Sequence, residues 1–313
     1  MKITNYNNVP DIMIEALTRD EHEMGDSHYS VTQLLRNPRQ LQLSRRHKDE
    51  VTRDAVDMWN SFIGTCVHGG IYQSVKSNTD YLLEKRVEHQ IATPSVGEVT
   101  IGGTPDAYQY STKTLFDHKT MQVSAYGLEV KDGYEEQMNI YAYILETQGL
   151  QVDKIFLNVI YLDWRLAAAK FAEAGKYPPA PVALIPIRKW SKEATESYIE
   201  GRVALHQAAE LLEDDELPEC SAEDCWESPQ KLAVYRKGFS GEPTGVRAMK
   251  LCDNYREVTD WVAWKKMSMK DLVVVDRPRT RRKCEMYCDS APFCNQYKEW
   301  KLAQEVANNV DVV

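Results

Sequence analysis

Gly103-Thr104-Pro105-Asp106, separated by ten residues from Asp117-His118-Lys119-Thr120, constrains this chain more than any other stretch. Val99-Thr100-Ile101 and Ala107-Tyr108-Gln109-Tyr110 read as strand, Ser111-Thr112-Lys113-Thr114 as a polar turn, and Leu115-Phe116 as the returning strand. Such a hairpin sets Asp106 near Asp117. Side chains alternate along a strand, so Asp117 and Lys119 share a face.

Two carboxylates beside an amine form a site for a hard divalent cation, Mg²⁺ or Mn²⁺. Such an ion neutralises charge growing on a phosphate and acidifies water, and a lysine beside it can orient that water. Two helical patterns flank the hairpin. From about Asp54 to Val75 the apolar residues Val56, Trp59, Phe62, Ile63, Val67, Ile71 and Val75 follow helix spacing, which holds His68 on a rigid element. Gly64, Gly69 and Gly70 each weaken that helix by about 1 kcal/mol relative to Ala, which predicts close approach of another backbone or a ligand. Tyr134 to Leu145 reads as a second helix, closed by Gly149, with Gln137 and Tyr141 four apart on one face.

Taken in order, Gly64-x-x-x-His68, Gly103-x-x-Asp106, Asp117-x-Lys119 and Gln137-x-x-x-Tyr141 resemble the motifs of the PD-(D/E)xK nuclease superfamily, and within it the RecB-like exonucleases. The resemblance spans residues 30–190. It implies an α/β, restriction-endonuclease-like fold, with a mixed central sheet flanked by helices. It further implies metal-dependent hydrolysis of DNA. His68, Asp106, Asp117 and the backbone carbonyl of His118 would hold the metal, Lys119 would position or activate water, and Gln137 and Tyr141 would support the substrate or the lysine. Glu84 stands where related sequences often carry an auxiliary glutamate. The alternative is a DNA-binding or host-complex-interacting protein that keeps this fold without turnover.

A chain of 313 residues, 43% apolar, can bury a substantial core. No apolar run approaches a membrane span and the start is too polar for a signal peptide, so a cytoplasmic protein is expected. The net charge of −9 disfavours indiscriminate binding to nucleic acid, so the distribution of charge matters. Arg45-Arg46-His47-Lys48 is basic, as is the run containing Arg277, Arg279, Arg281, Arg282 and Lys283, whereas Glu210 to Glu216 is acidic. The Arg277–Lys283 run is the expected DNA contact.

That run leads into Cys284, Cys288 and Cys294, three thiols in one short segment, which predicts a metal or cluster. Cys220 is the first choice for a fourth ligand, with Cys225 and Cys252 behind it, while Cys66 is expected to pack as a small apolar residue. RecB-like nucleases of the CRISPR-associated kind staple their ends with an iron–sulfur cluster, which implies [4Fe-4S] here. Asn37 stands where those relatives carry their upstream cysteine, and the gap from Cys284 to Cys288 is one residue longer than theirs. Zn²⁺ therefore stands as the alternative.

Three segments are expected: an arm at 1–29, a nuclease core at 30–200, and a cysteine-clamped helical module at 201–313. In the core, Ser30 caps a first helix that Pro38 interrupts. Strands lie near Ile155–Leu162 and Val182–Ile187, and a helix covers Lys192–Leu212. From Asp163-Trp164 through the Pro-rich loop to the cysteines, the chain is similar to bacteriophage-encoded RecB-like nucleases, which implies a role in phage DNA recombination, repair or degradation. No Walker-type loop is present, so unwinding would come from a recombination or helicase partner.

Overall fold

The computed structural model describes residues 2–18, 25, 27–128, 132–238, 240, 242–245 and 247–310. It falls into two compact units, Met1–Leu212 and Glu213–Val313. The boundary lies after the helix that the sequence expectation divided at residue 200. That helix runs unbroken from Lys192 to Glu210 and buries Thr195, Ile199, Val203, His206 and Ala209 in the first unit.

The first unit opens with β1 (Lys2–Thr4), α1 (Asp11–Thr18), β2 (Tyr29–Ser30), α2 (Val31–Leu34), α3 (Pro38–Arg46), β3 (Thr52–Asp54) and α4 (Trp59–Val75). It continues through β4 (Tyr81–Leu83), β5 (Val87–Thr93), β6 (Gly97–Gly103), β7 (Ala107–Gln109), β8 (Thr114–Met121), α5 (Asp132–Thr147), β9 (Lys154–Tyr161), α6 (Leu166–Phe171), β10 (Val182–Pro186) and α7 (Lys192–Glu210). The main sheet has the order β10-β9-β8-β7-β4. It is antiparallel except where β8 runs parallel to β9. A parallel pair needs a crossover, and α5 supplies it. This is the mixed α/β architecture anticipated above. A second sheet, β2-β6-β5, stands beside it. Of the described residues in the expected arm at 1–29, Lys2–Thr4 pair in parallel with β3, and Tyr29 at its end belongs to β2, which pairs with β6.

Local signals set the helix ends. The Ser30 hydroxyl accepts from the Gln33 backbone N–H at 3.1 Å, and the Gln33 side chain reaches back to the Ser30 N–H. Asn37 caps α3, with Pro38 at its first turn. Gly149 ends α5 with φ +87°, and the Leu150 N–H donates to the Leu145 carbonyl at 3.0 Å. The basic patch at the end of α3 is consumed structurally: Arg45 pairs with Glu210 at 3.2 Å, and Arg46 donates to the Leu212 carbonyl at 2.7 Å. Cations there satisfy carbonyls left open at the end of α7.

The core lies between the main sheet and α5, with Leu115, Leu157 and Val159 from the sheet and Met138, Ile144 and Leu145 from the helix all fully buried. Burying each such large side chain contributes about 1.5–3 kcal/mol. By contrast, α4 buries no residue completely. Among the described residues no other backbone closes on its glycines: nothing lies within 4 Å of a Cβ built on Gly69 or Gly70, and at Gly64 only Thr120 Oγ1 reaches that limit. Cys66, expected to pack, is exposed.

The second unit holds β11 (Glu227–Ser228), β12 (Lys231–Lys237), β13 (Pro243–Thr244), β14 (Lys250–Cys252), α8 (Tyr255–Trp264), β15 (Leu272–Arg277), β16 (Thr280–Arg281), α9 (Arg282–Met286) and α10 (Asn295–Val310). It corrects the expectation of a helical module, because an antiparallel sheet joins β13, β12, β14 and β15. The cause is local: Val273-Val274-Val275 is a β-branched run, and it pairs with Ala233, Val234 and Tyr235. Cys252 packs in that unit's own core with Leu232, Val234, Val258, Val262 and Leu272, which removes it from the ligand candidates. Among the described residues, no helix is long and apolar enough to cross a membrane.

Gly103 demands its small size. A Cβ on Gly103 would stand 2.7 Å from the Tyr141 hydroxyl and 2.8 Å from its ring. Gly103→Ala is therefore expected to lower unfolding stability by about 1–3 kcal/mol in urea titration; a neutral result would mean that the ring moves away freely.

Candidate active site

The site begins where a ladder stops. The last rung between β7 and β8 is Ala107↔Phe116, and continuing that register sets Asp106 opposite Asp117 and Pro105 opposite His118. Proline has no N–H to give. The backbone groups of His118 on that side of β8 are instead met by side chains. Asp106 Oδ2 accepts from the His118 N–H at 2.5 Å, and His68 Nε2 lies 3.0 Å from the His118 carbonyl. His68 Nδ1 also stands 3.4 Å from Asp106 Oδ1. Three of the expected ligand groups, His68, Asp106 and the His118 carbonyl, thus meet at one strand end. Nδ2 of the half-buried Asn158, on the neighbouring strand, lies 3.1 Å from His118 Nδ1 and fixes that ring.

Asp117 and Lys119 project from the other face of β8, toward α5. Lys119 Nζ lies 2.7 Å from Asp117 Oδ2, and no other donor reaches that buried oxygen. Burial pushes the Asp117 carboxyl up to about 6, against the opposing pull of Lys119. Burial alone would push the Lys119 ammonium down, but Asp117 beside it outweighs this and holds it above its ordinary value. His68 is raised, chiefly by its bond to Asp106. Burial would raise Asp106, yet His68 and the His118 N–H together hold it below the usual carboxylate range. Burial lowers the His118 imidazole. Two neighbouring carboxylates are thereby driven in opposite directions, as happens where charge is concentrated for chemistry.

Two of the expected site residues, Gln137 and Tyr141, lie on α5. Tyr141 bonds to the Gln137 side chain and the Thr104 backbone, and its ring lies against Gly103. Burial pushes its phenol up to about 12. Gln137 and Tyr141 therefore clasp the turn that carries Asp106. The aromatic residue at the lysine is Tyr134, at the start of α5, whose ring centroid lies 5.1 Å from Lys119 Nζ. The sequence carried a signal for it: Tyr134 stands three residues before Gln137, hence on the same side of the helix. Glu84 is exposed at the end of β4, has φ +43°, and donates its backbone N–H to the Asp106 carbonyl at 3.0 Å.

Among the described residues, no three His, Cys, Asp or Glu side chains stand in a metal-ligating arrangement. The candidates pair with one another instead: His68 with Asp106, and Asp117 with Lys119.

In the second unit the β11–β16 pairing, Glu227↔Arg281, carries Cys225 and Cys284 to the same end of that ladder, where the Lys283 N–H donates to the Cys225 carbonyl at 3.1 Å. The thiol in direct contact with Cys284 is accordingly Cys225, the residue ranked behind Cys220, with Cys288 and Cys220 as further neighbours. Burial raises both the Cys284 and the Cys225 thiol. Gln296, two residues after Cys294, brackets the Cys220 backbone at 2.9 and 2.8 Å. The basic run that precedes them is largely tied down. Arg279 and Arg281 both pair with Glu227, Arg277 donates to the Tyr235 hydroxyl, and the Arg281 guanidinium lies over Trp300 at 5.3 Å. Arg282 remains exposed and Lys283 half-buried.

No protein-family model matches the chain, and no curated protein matches it. Among solved structures, one described as "Crystal structure of SSO0001" is similar, at 18% identity and a TM-score of 0.44, covering 62% of this chain and 85% of that one.

Asp106 replaces a missing strand partner, so Asp106→Ala should cost about 1–3 kcal/mol through the orphaned His118 N–H. Hydrogen exchange at the His118 amide should accelerate with it; unchanged protection would show that another group closes the ladder.

Proposed function

We propose that this protein is a divalent-metal-dependent deoxyribonuclease that hydrolyses phosphodiester bonds. The observation that carries the reading is the meeting of His68, Asp106 and the His118 carbonyl at the interrupted ladder, with the Asp117–Lys119 pair on the adjoining rung. A scaffold with no chemistry to perform gains little from a buried carboxylate raised to about 6 beside a half-buried ammonium, because desolvation of such a pair offsets its Coulomb attraction.

The donors fit a hard cation: two carboxylates and a carbonyl supply oxygen, and one imidazole supplies nitrogen. Asp106, Asp117, the His118 carbonyl and His68 would hold Mg²⁺ or Mn²⁺. When bound, the ion would offset the charge that develops on the scissile phosphate. The remaining work belongs to the chain itself. Lys119 presents an ammonium toward that charge and can orient the attacking water. The Tyr134 ring limits where the ammonium can point. Tyr141 and Gln137 hold the Gly103–Thr104 turn, and through it the direction of Asp106.

Its motif order resembles that of RecB-like exonucleases, which would make DNA its partner and phage DNA recombination, repair or degradation its setting. Cys220, Cys225, Cys284, Cys288 and Cys294 supply more than the four thiolates that a Zn²⁺ ion or an iron–sulfur cluster would take, and that group would be structural.

Purified protein incubated with linear and circular DNA in Mg²⁺ or Mn²⁺ should degrade the linear form, and EDTA should stop it. Lys119→Ala should reduce the rate at least about a hundredfold. The variant still folds, because Asp117 without its partner takes up a proton. Full activity in Lys119→Ala, or an inert wild type in every metal, would refute the reading. Tyr134→Phe should retain most of the rate, and Tyr134→Ala should lower kcat with little change in KM; equal rates in the two variants would remove Tyr134 from the site.

A further inference from the structure

In the second unit, residues 221–226 form a helical turn that ends on an unusual residue. The Glu227 N–H donates to the Ala222 carbonyl at 2.8 Å, and the Trp226 N–H to the Glu223 carbonyl at 3.0 Å. This is the bonding of a Schellman motif, whose left-handed position is normally glycine. Here Trp226 occupies it, with φ +50°. A bulky side chain is strained in that region, and such strain collects where a side chain has work to do.

The strained backbone holds the indole at the surface, 43% exposed, beside Tyr287, 47% exposed, with ring centroids 5.3 Å apart. Lys283 Nζ lies 5.9 Å from the Trp226 ring, Arg282 is exposed, and Met286 is 60% exposed. One acid, Glu285, shares α9 with them. Arg277, Arg279 and Arg281 are held by Tyr235 and Glu227, whereas Lys283 stands at the aromatic pair and Arg282, the residue before it, is exposed.

We infer that Trp226 and Tyr287, with Lys283 beside them and the exposed Arg282 next to it in the chain, form a platform for single-stranded DNA. Exposed aromatic faces take unstacked bases regardless of sequence, while adjacent cations take phosphates. A duplex hides its base faces and offers this surface only its backbone. The inference is independent of catalysis, since an inert protein would bind just as well.

The test is fluorescence anisotropy with a labelled oligothymidylate in EDTA at low salt, where metal-dependent cleavage cannot intervene. Wild-type protein should bind it more tightly than a duplex of equal length. Tyr287→Ala and Trp226→Gly should each weaken binding at least about tenfold. Trp226→Gly removes the indole at a backbone position that glycine adopts without strain, so a variant that still unfolds cooperatively while affinity falls separates function from folding. Replacing both Arg282 and Lys283 with Gln should flatten the salt dependence by about 1.4 in log–log slope. Unchanged affinity in Trp226→Gly, a preference for duplex, or no binding by the wild type would overturn the inference. Cleavage assays in Mn²⁺ report on the nuclease site separately.

Discussion

A single unfilled rung organises the first unit. β7 stops short of His118, Pro105 has no N–H for the His118 carbonyl, and the peptide groups of β8 at that point need partners in a half-buried setting. Asp106 and His68 supply them. What satisfies a backbone defect also places a carboxylate, an imidazole and a carbonyl oxygen at one strand end. Alternation along the same strand then sends Asp117 and Lys119 to the α5 side, where burial makes their charges consequential.

The rest of the unit holds that strand end in position. The parallel β8–β9 pair anchors the strand on its far side, and α5 spans both. Through Tyr141 the helix grips Gly103 and Thr104, just before the proline, and through Tyr134 it reaches the lysine. Helix α4, which contributes His68, buries none of its residues fully. The imidazole therefore rides on the most lightly packed of the supporting elements, whereas both carboxylates stand on or next to the sheet.

The hairpin, its turn and the shared face of Asp117 and Lys119 were legible from residues because strand alternation and turn chemistry are local rules. The Ser30 cap, the Asn37-Pro38 helix start and the Gly149 stop were legible for the same reason. Other features depend on what meets what across space. Three glycines in α4 looked like a close packing seam, yet two of them face open surroundings. Gln137 and Tyr141 were read toward the substrate or the lysine; across space Tyr141 meets Gly103 and Thr104, and Tyr134 is the ring that stands at the lysine. In the second unit the run of basic residues looked like one exposed surface. Only the pairing of β11 with β16 shows that Glu227 captures two of its arginines and that Cys225 comes to lie against Cys284.

The central claim is that the side chains gathered at the interrupted rung are a cation site. Anomalous scattering from crystals grown with Mn²⁺ tests it most directly. The account predicts one strong peak within ligand distance of Asp106, Asp117 and the His118 carbonyl, with the His68 ring turned to it. A map with no peak there, or with His68 and Asp106 still bonded to each other while Mn²⁺ sits elsewhere, would contradict it.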